Sequence, residues 1–285
     1  MATATLQPTV GALVREWRER RRLSQLELAL DAGISARHLS FVETGRSKPG
    51  REMLLRVLER LGVPFREQNR LLLAAGHAPA FPERSLEDPE LAPVREALKV
   101  ILTGHEPYPA VAVDRGWNLV AANAPMLALA GAVDIDPTLL EPPVNVMRVG
   151  LHPRGLGPLM VNLGDWHAHW LERLGRQLAT TGDEQLAALI EEIAGYPVPE
   201  PERDLAAGIR SDEILGPVKV RAPGGGELSF FGMFASFDTP FEVTTSELAI
   251  ELLFPADRAT AELLEDLPTD PEELSAFTRG FGGDR

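Results

Sequence analysis

The stretch QLELALDAGISARHLSFVET, residues 25 to 44, constrains this chain more than any other. Leu28, Ala29, Ala32, Ile34, Leu39 and Val42 recur where two short helices joined by a tight turn must pack. Ala29 is small, so the helices can approach closely. Gly33 falls at the turn, where a positive φ is needed. Ser24 can cap the first helix while Glu27 reaches back to it, a capping box. Ser35 caps the second helix, which is expected to run to about Glu43. Ser35, Ala36, Arg37, His38, Ser40 and Phe41 then turn away from the core. A generic antiparallel helix pair does not need the small residue, the glycine and the apolar positions in one register.

Helix, short glycine turn, helix is the helix-turn-helix pattern. Its flanks are helical as well. Val10, Leu13, Val14 and Trp17 share a helix face before it. After it, "TGRSKPG" reads as a loop. "REMLLRVLERLG" reads as a helix with Leu54, Leu55, Leu58 and Leu61 inward. "PFREQNRLLLAAG" reads as a fifth helix, between Pro64 and Gly76. Charge separates this head from the remainder of the chain. Residues 1–80 hold 13 basic and 8 acidic residues, a formal +5; the others hold 15 and 34, a formal −19. A basic head on an acidic body points to a polyanion partner for the head alone.

The five-helix head, over roughly residues 10–76, resembles the Cro/lambda-repressor (XRE) family of helix-turn-helix regulators. The resemblance implies roles for particular residues. Gln25 would touch the backbone of double-stranded DNA or support a neighbouring base contact. Ser35, Arg37, His38 and Ser40 would face the major groove, with Arg37 on a guanine edge and Phe41 over a thymine methyl. Arg46, Ser47, Lys48 and Arg51 would hold phosphates and set orientation. Members of this class bind as dimers to paired half-sites, so a homodimer on a two-part operator is expected.

"GHAPAFPERSLEDPELAP", residues 76–93, is rich in proline and reads as an extended connection, with the boundary near residue 82. A new helix, "VREALKVIL", comes after it. Ala110 to Val113 is a strand, "DRG" a turn and "WNLVAAN" a second strand. Two helical stretches follow, "LGDWHAHWLERLGRQLAT" and "DEQLAALIEEIAGYP". Three β-rich runs come next, "ILGPVKVRAP", "GELSFFGMFASFDTP" and "TSELAIELLFPAD", separated by Gly, Pro and Asp signals. They predict a meander closing the sheet begun near residue 110. "PADRATAELLEDL" reads as a last helix opened by Pro255. The domains expected are 1–80 (head), 81–97 (linker), 98–270 (body) and 271–285 (tail).

Strand, turn, strand, Asn, short helix is how a PAS-type sensor opens. More specifically, the body resembles the ligand-binding domain of MmyB-like transcription regulators through "WNLVAAN", "NVMRVGLHPRGL", "GELSFFGMFASFDTP" and "ELLFPADRATAELL". The fold class expected is therefore α plus α/β in two domains. An N-terminal five-helix, lambda-repressor-like bundle precedes a C-terminal PAS-like antiparallel sheet with flanking helices. The family implies a long-chain apolar ligand such as a fatty acid, and no required cofactor. A pocket between sheet and helices would draw on Trp117, Leu119, Phe230, Met233 and Phe237 from the strands. Met126, Met147, Leu151, Trp166 and Trp170 would come from the helices. Apolar side chains of this kind also make ordinary core, and sequence does not separate the two uses. Arg148, His152 and Arg154 could meet a carboxylate head group; as a surface loop they would instead be solvated.

Other classes find little support in the residues. Without cysteine there is no disulfide, thiolate metal site or thiol nucleophile. "GGGE" at 224–227 lacks the lysine of a phosphate cradle and reads as a hairpin turn. His167 and His169 point different ways on one helix, which argues against zinc. No GxSxG elbow occurs. With no secretory signal or membrane-spanning run, a soluble cytoplasmic regulator, not an enzyme and not membrane-bound, is expected. A body that binds a protein partner, antitoxin-like, remains the alternative. An enclosed, elongated apolar cavity would favour a small ligand; a flat, exposed apolar patch would favour a partner.

Overall fold

A computed structural model describes residues 9–200, 216–222, 225–238 and 240–266. The chain forms two compact units. One is built on the residues up to Arg84, with Ala179–Thr181 and 240–246; the other holds the remainder.

The first unit contains helices α1 (Val10–Arg20), α2 (Gln25–Asp31), α3 (Ala36–Glu43), α4 (Arg51–Arg60) and α5 (Phe65–Ala74). Their apolar faces meet in one core around Trp17, Leu28, Leu39, Leu54, Leu58 and Leu71. Leu55, expected inward, is only half-buried, and Val57 takes the buried place on α4. Gly33 has φ +65°, as the turn requires. Gly11 permits a closer contact: a Cβ there would stand 2.1 Å from the Val42 carbonyl oxygen, so α1 can rest on α3 only with glycine. Beyond α5 the proline-rich stretch is packed rather than free. Asn69 Oδ1 accepts the N–H groups of Ala80 (2.9 Å) and Phe81 (3.1 Å), and the Phe81 ring stacks on Phe65 at 4.0 Å.

The second unit opens with α6 (Ala92–Gly104) and the hairpin of β1 (Ala110–Val113) and β2 (Leu119–Ala122). Then come α7 (Ala124–Gly131), α8 (Val146–Leu151), α9 (Leu163–Thr181) and α10 (Glu184–Ala194). Strands β3 (Val218–Arg221), β4 (Glu227–Ala235) and β5 (Ala249–Pro255) come last in the sheet. A one-turn helix, α11 (Val243–Ser246), lies between β4 and β5 and packs with the first unit's residues. The sheet order is β2-β1-β5-β4-β3, antiparallel at every pairing, with β3-β4-β5 as a meander. The last helix, α12 (Arg258–Glu265), is not opened by Pro255. That residue ends β5, and Asp257 is the cap, accepting from the Thr260 N–H.

Strand alternation assigns the two faces of this sheet. Ala110, Ala112, Ile250 and Leu252 turn to one side and pack with Leu98 and Leu102 of α6. Val111, Val113, Ala249 and Phe234 turn to the other, against α9 and α10. β2 departs from strict alternation because the β1–β2 register slips between Ala112 and Val113. This bulge sends both Leu119 and Ala122 to the α9 side, while Val120 and Ala121 go to the α6 side. Asn123 then joins strand to helix. Its Oδ1 accepts from Ala110 N (2.9 Å) and Met126 N (3.2 Å), and its Nδ2 donates to the carbonyls of Leu102 (3.2 Å) and Tyr108 (2.8 Å).

Candidate DNA-contact face and ligand cavity

The α2–α3 pair is fixed from both ends. Ser24 Oγ accepts the Glu27 N–H (3.2 Å) and a Glu27 carboxylate oxygen accepts the Ser24 N–H (2.7 Å), closing the capping box. That bond holds the Glu27 carboxyl below its usual range. Ser35 Oγ accepts the His38 N–H at 3.1 Å, so its hydroxyl starts α3. The far end rests on an ion pair that spacing along the chain does not reveal. Arg18 of α1 donates through Nε (2.7 Å) and Nη2 (3.0 Å) to both carboxylate oxygens of buried Glu43. Gln25 Nε2 donates to the same carboxylate at 2.7 Å, which ties the start of α2 to the end of α3.

Ser35, Arg37, Arg46, Lys48 and Arg51 are exposed, and Gln25, His38, Ser40, Phe41 and Ser47 are half-buried. The Arg37 guanidinium lies over the Phe41 ring at 5.3 Å, so these two neighbours share one patch. The Phe41 carbonyl accepts the N–H groups of Arg46 (2.8 Å) and Ser47 (3.0 Å), which curls the loop back beneath α3. Arg51 donates to the Pro79 carbonyl at 3.4 Å.

In the second unit, the α9-facing side of the sheet and the helices above it line an open-mouthed cavity of about 330 Å³. Leu119, Met126, Met147, Leu151, Trp166, Trp170 and Phe230 line it. Trp166 and Trp170, one helical turn apart on α9, meet edge to face at 6.1 Å. The sequence reading missed the contribution of the connections between α7 and α8. Val133, Ile135, Leu140 and Val144 also line the cavity, and no periodicity marks such irregular chain. Leu127 and Leu140 are exposed as well as lining, which places them at its rim. The cavity is concave but open at this rim, so it lies between the enclosed pocket expected of a small-ligand body and the flat patch expected of a partner surface.

Several residues expected in the pocket lie elsewhere. Met233 is 54% exposed, because alternation along β4 turns it away from the side that holds Phe230. Phe237 follows the end of β4 and packs with the α6-side cluster. Trp117 sits one layer behind the lining, edge to face with Trp170 at 4.8 Å, its Nε1 donating to Gln177 at 2.9 Å. Trp117 also holds φ +66°, a strained value for a side chain that large. Arg148, His152 and Arg154 form a surface network. Arg148 pairs with Glu192 (Nη2–Oε2 2.8 Å), Arg154 pairs with Asp136, and His152 packs edge to face on Tyr196 at 5.0 Å. The helix histidines are spent separately: His167 bonds the Ile193 carbonyl at 2.9 Å and His169 stacks on Trp166 at 5.2 Å. Among the described residues no group of His, Asp and Glu is placed to hold a metal.

Among the described residues, two that line the cavity carry charge, Arg221 and Glu251. Arg221 is exposed and donates to the Pro158 carbonyl at 3.0 Å. Glu251 keeps some contact with solvent, yet the packing around its carboxyl is dense. Desolvation raises its pKa to about 7, against the opposing attraction of Arg173. Arg173 itself lies over the Phe234 ring at 3.9 Å, with the Trp170 and Trp117 rings at 5.5 and 5.9 Å. Burial lowers its pKa.

Known proteins match both units. The family described as the MmyB-like transcription regulator ligand binding domain matches residues 94–267, and a helix-turn-helix family matches residues 14–68. An uncharacterized HTH-type transcriptional regulator of Mycobacterium tuberculosis is 39% identical over 67 residues, 24% of this chain and 26% of that protein. The uncharacterized HTH-type transcriptional regulator RghRB of Bacillus subtilis is 37% identical over 81 residues, 28% of this chain and 56% of that protein. The chain thus spans about a quarter of the mycobacterial relative and about half of the Bacillus one. A solved structure, of an RNA-binding light-oxygen-voltage receptor, aligns over 92% of this chain and 62% of that one. Its TM-score of 0.27 and 13% identity are too low to carry an argument. The ligand-binding-domain match covers more than half of the sequence, and the helix-turn-helix match precedes it. The chain belongs to the MmyB-like family of transcription regulators with a ligand-binding domain.

Proposed function

We propose that this chain is a one-component, sequence-specific DNA-binding regulator, not an enzyme, whose body binds a small apolar, fatty-acid-like ligand. It acts in the cytoplasm as a homodimer on an operator with paired half-sites. In this reading α3 enters the major groove, with Arg37, Ser40 and Phe41 toward base edges and Arg46, Ser47, Lys48 and Arg51 toward phosphates. The observation that carries the sensing half is the cavity itself. It is concave and apolar, and among the described residues Arg221 and Glu251 are the only charged ones in its wall. Such a wall discriminates by burial of alkyl or aromatic surface. The concavity favours a small ligand over a protein partner.

Native mass spectrometry of the purified full chain tests this reading directly. A dimer mass that carries a retained lipid-sized adduct, removed by delipidation and restored by added long-chain acid, is the expected result. A chain that takes up no long-chain compound after delipidation would overturn the sensing half.

A further inference from the structure

Glu251 is the anomaly of the cavity wall. On β5 it stands in register with Val111 of β1 and Phe234 of β4, both packed toward α9. Its strand neighbours Ile250 and Leu252 turn to the opposite side, so the glutamate faces the cavity with Leu253. An aliphatic side chain would complete the apolar wall at this point. The sheet instead makes room for a carboxyl: a Cβ at Gly232 on β4 would stand 3.3 Å from Glu251 Oε1. Among the described residues that carboxyl has no hydrogen bond or ion pair. The one charged group with a resolved influence on it is Arg173 of α9, beyond ion-pair distance and stacked on Phe234. The groups beside it on β1 and β4 carry no charge.

A polar group set in an apolar wall without a protein partner is satisfied by solvent or by the occupant of the cavity. Its position along the sheet restricts that occupant. Glu251 pairs with Phe234 near one end of β4, and Arg221 pairs with Glu227 at the other. Seven strand residues at about 3.3 Å each put roughly 23 Å of sheet between those two points of the wall. A long extended chain matches such a span, with one end at Glu251 and the other at the rim, where Arg221, in the opposite phase of the strand alternation, donates to the Pro158 carbonyl.

We propose, resting on the reading of the cavity as a ligand site, that Glu251 is its specificity-determining group and that the preferred ligand is a long-chain acid bearing a hydroxyl near its far end. The hydroxyl sits at Glu251, and the acid group lies at the rim toward Arg221. A hydroxyl fits a carboxyl of intermediate acidity in either state, since it donates to the carboxylate and accepts from the acid. A second carboxylate at that place meets like charge and is disfavoured. Sites built to hydrogen-bond a ligand hydroxyl reject the analogue lacking it far more strongly than apolar pockets reject an added methylene.

The test compares palmitate with its ω-hydroxy counterpart. Binding to the delipidated full chain is followed by quenching of tryptophan fluorescence and checked by calorimetry. Wild type should prefer the hydroxy acid by about tenfold or more. Glu251→Leu should reverse that preference, and Glu251→Gln, which keeps a hydrogen-bonding amide, should retain it. Equal affinity of wild type for the two acids, or a preference that survives in Glu251→Leu, overturns the role of Glu251 and leaves the cavity reading standing. Failure of wild type to bind either acid overturns both. The thermal midpoint of each variant identifies one that has failed to fold, and the wild-type comparison decides the matter without it.

Discussion

At the scale of single residues, two polar side chains in the sheet domain do opposite things. Asn123 is buried and fully used, joining β1, α6 and α7 through four hydrogen bonds. Removing its amide strands buried backbone groups and a helix cap together. Asn123→Ala should lose about 2–3 kcal/mol of unfolding free energy. Chemical denaturation reads this, with an unchanged slope against denaturant if the denatured state is unaffected. Among the described residues Glu251 has no comparable hydrogen-bond partner. Its folded pKa of about 7 lies above the ordinary 4.5, so folding favours the protonated form. Linkage sets the sign of the pH dependence. Below pH 4.5 both states are protonated and the group imposes no penalty. As pH rises from there through 7, the folded state holds a proton that the unfolded state has released, and stability falls. Glu251→Gln removes this titration. The difference in thermal midpoint between variant and wild type should therefore widen from pH 5 to pH 8 in the variant's favour. A constant difference over that range would show that the carboxyl is not desolvated. Surface pairs such as Arg15–Glu19, both side chains more than half exposed, should contribute almost nothing to such curves.

At the scale of elements, the helix-turn-helix was legible because its signals are local. The Ser24–Glu27 box, the Gly33 turn, the Ser35 cap and the packed apolar register all lie within about one pair of helices. The brace beneath them was not. Arg18 and Glu43 are 25 residues apart, and nothing in either neighbourhood marks them as partners. The same limit applies to the sheet. Strands β3 to β5 announced themselves by composition, but which face of each meets the cavity depends on register and bulges. Period-two alternation alone would have separated Phe230 from Met233. It would have misplaced Leu119 or Ala122, since the β1–β2 bulge breaks the alternation. Arg148, His152 and Arg154 looked like a head-group site because their partners Glu192, Asp136 and Tyr196 come from other elements. For α3 and the loop after it, roles divide by the group each side chain would touch. Arg37→Ala should relax preference at one base position, costing about 1–3 kcal/mol against the favoured base only. Lys48→Ala should weaken all sequences alike and reduce the slope of log affinity against log salt by about one. A binding-site selection with each variant separates the two. Unchanged base preference for Arg37→Ala would remove that residue from the reading face.

At the scale of the whole molecule, charge and cavity bear on one question: how occupancy of the body reaches DNA. The body's formal −19 makes it a poor companion for phosphate, while the +5 head supplies the attraction. DNA affinity should therefore be modest for each head, and paired binding by a dimer would set the operating affinity. A ligand can alter that affinity only if it binds better to one arrangement of the proposed dimer than to the other. Filling an apolar cavity walled by α7, α8, α9 and the sheet would give such a difference a physical source, provided those elements pack differently around the filled and the empty cavity. Coupling of this kind is reciprocal. If a long-chain acid shifts operator affinity by some factor, operator DNA must shift the affinity for the acid by the same factor. Both legs can be measured on the full chain, by anisotropy of labelled operator and by tryptophan quenching. Factors of about 5–150 are typical of allosteric coupling. Equal factors on the two legs would establish that one equilibrium joins cavity and operator. An operator affinity that stays unchanged at saturating ligand would sever the two functions, even with ligand bound in the body and DNA bound by the heads.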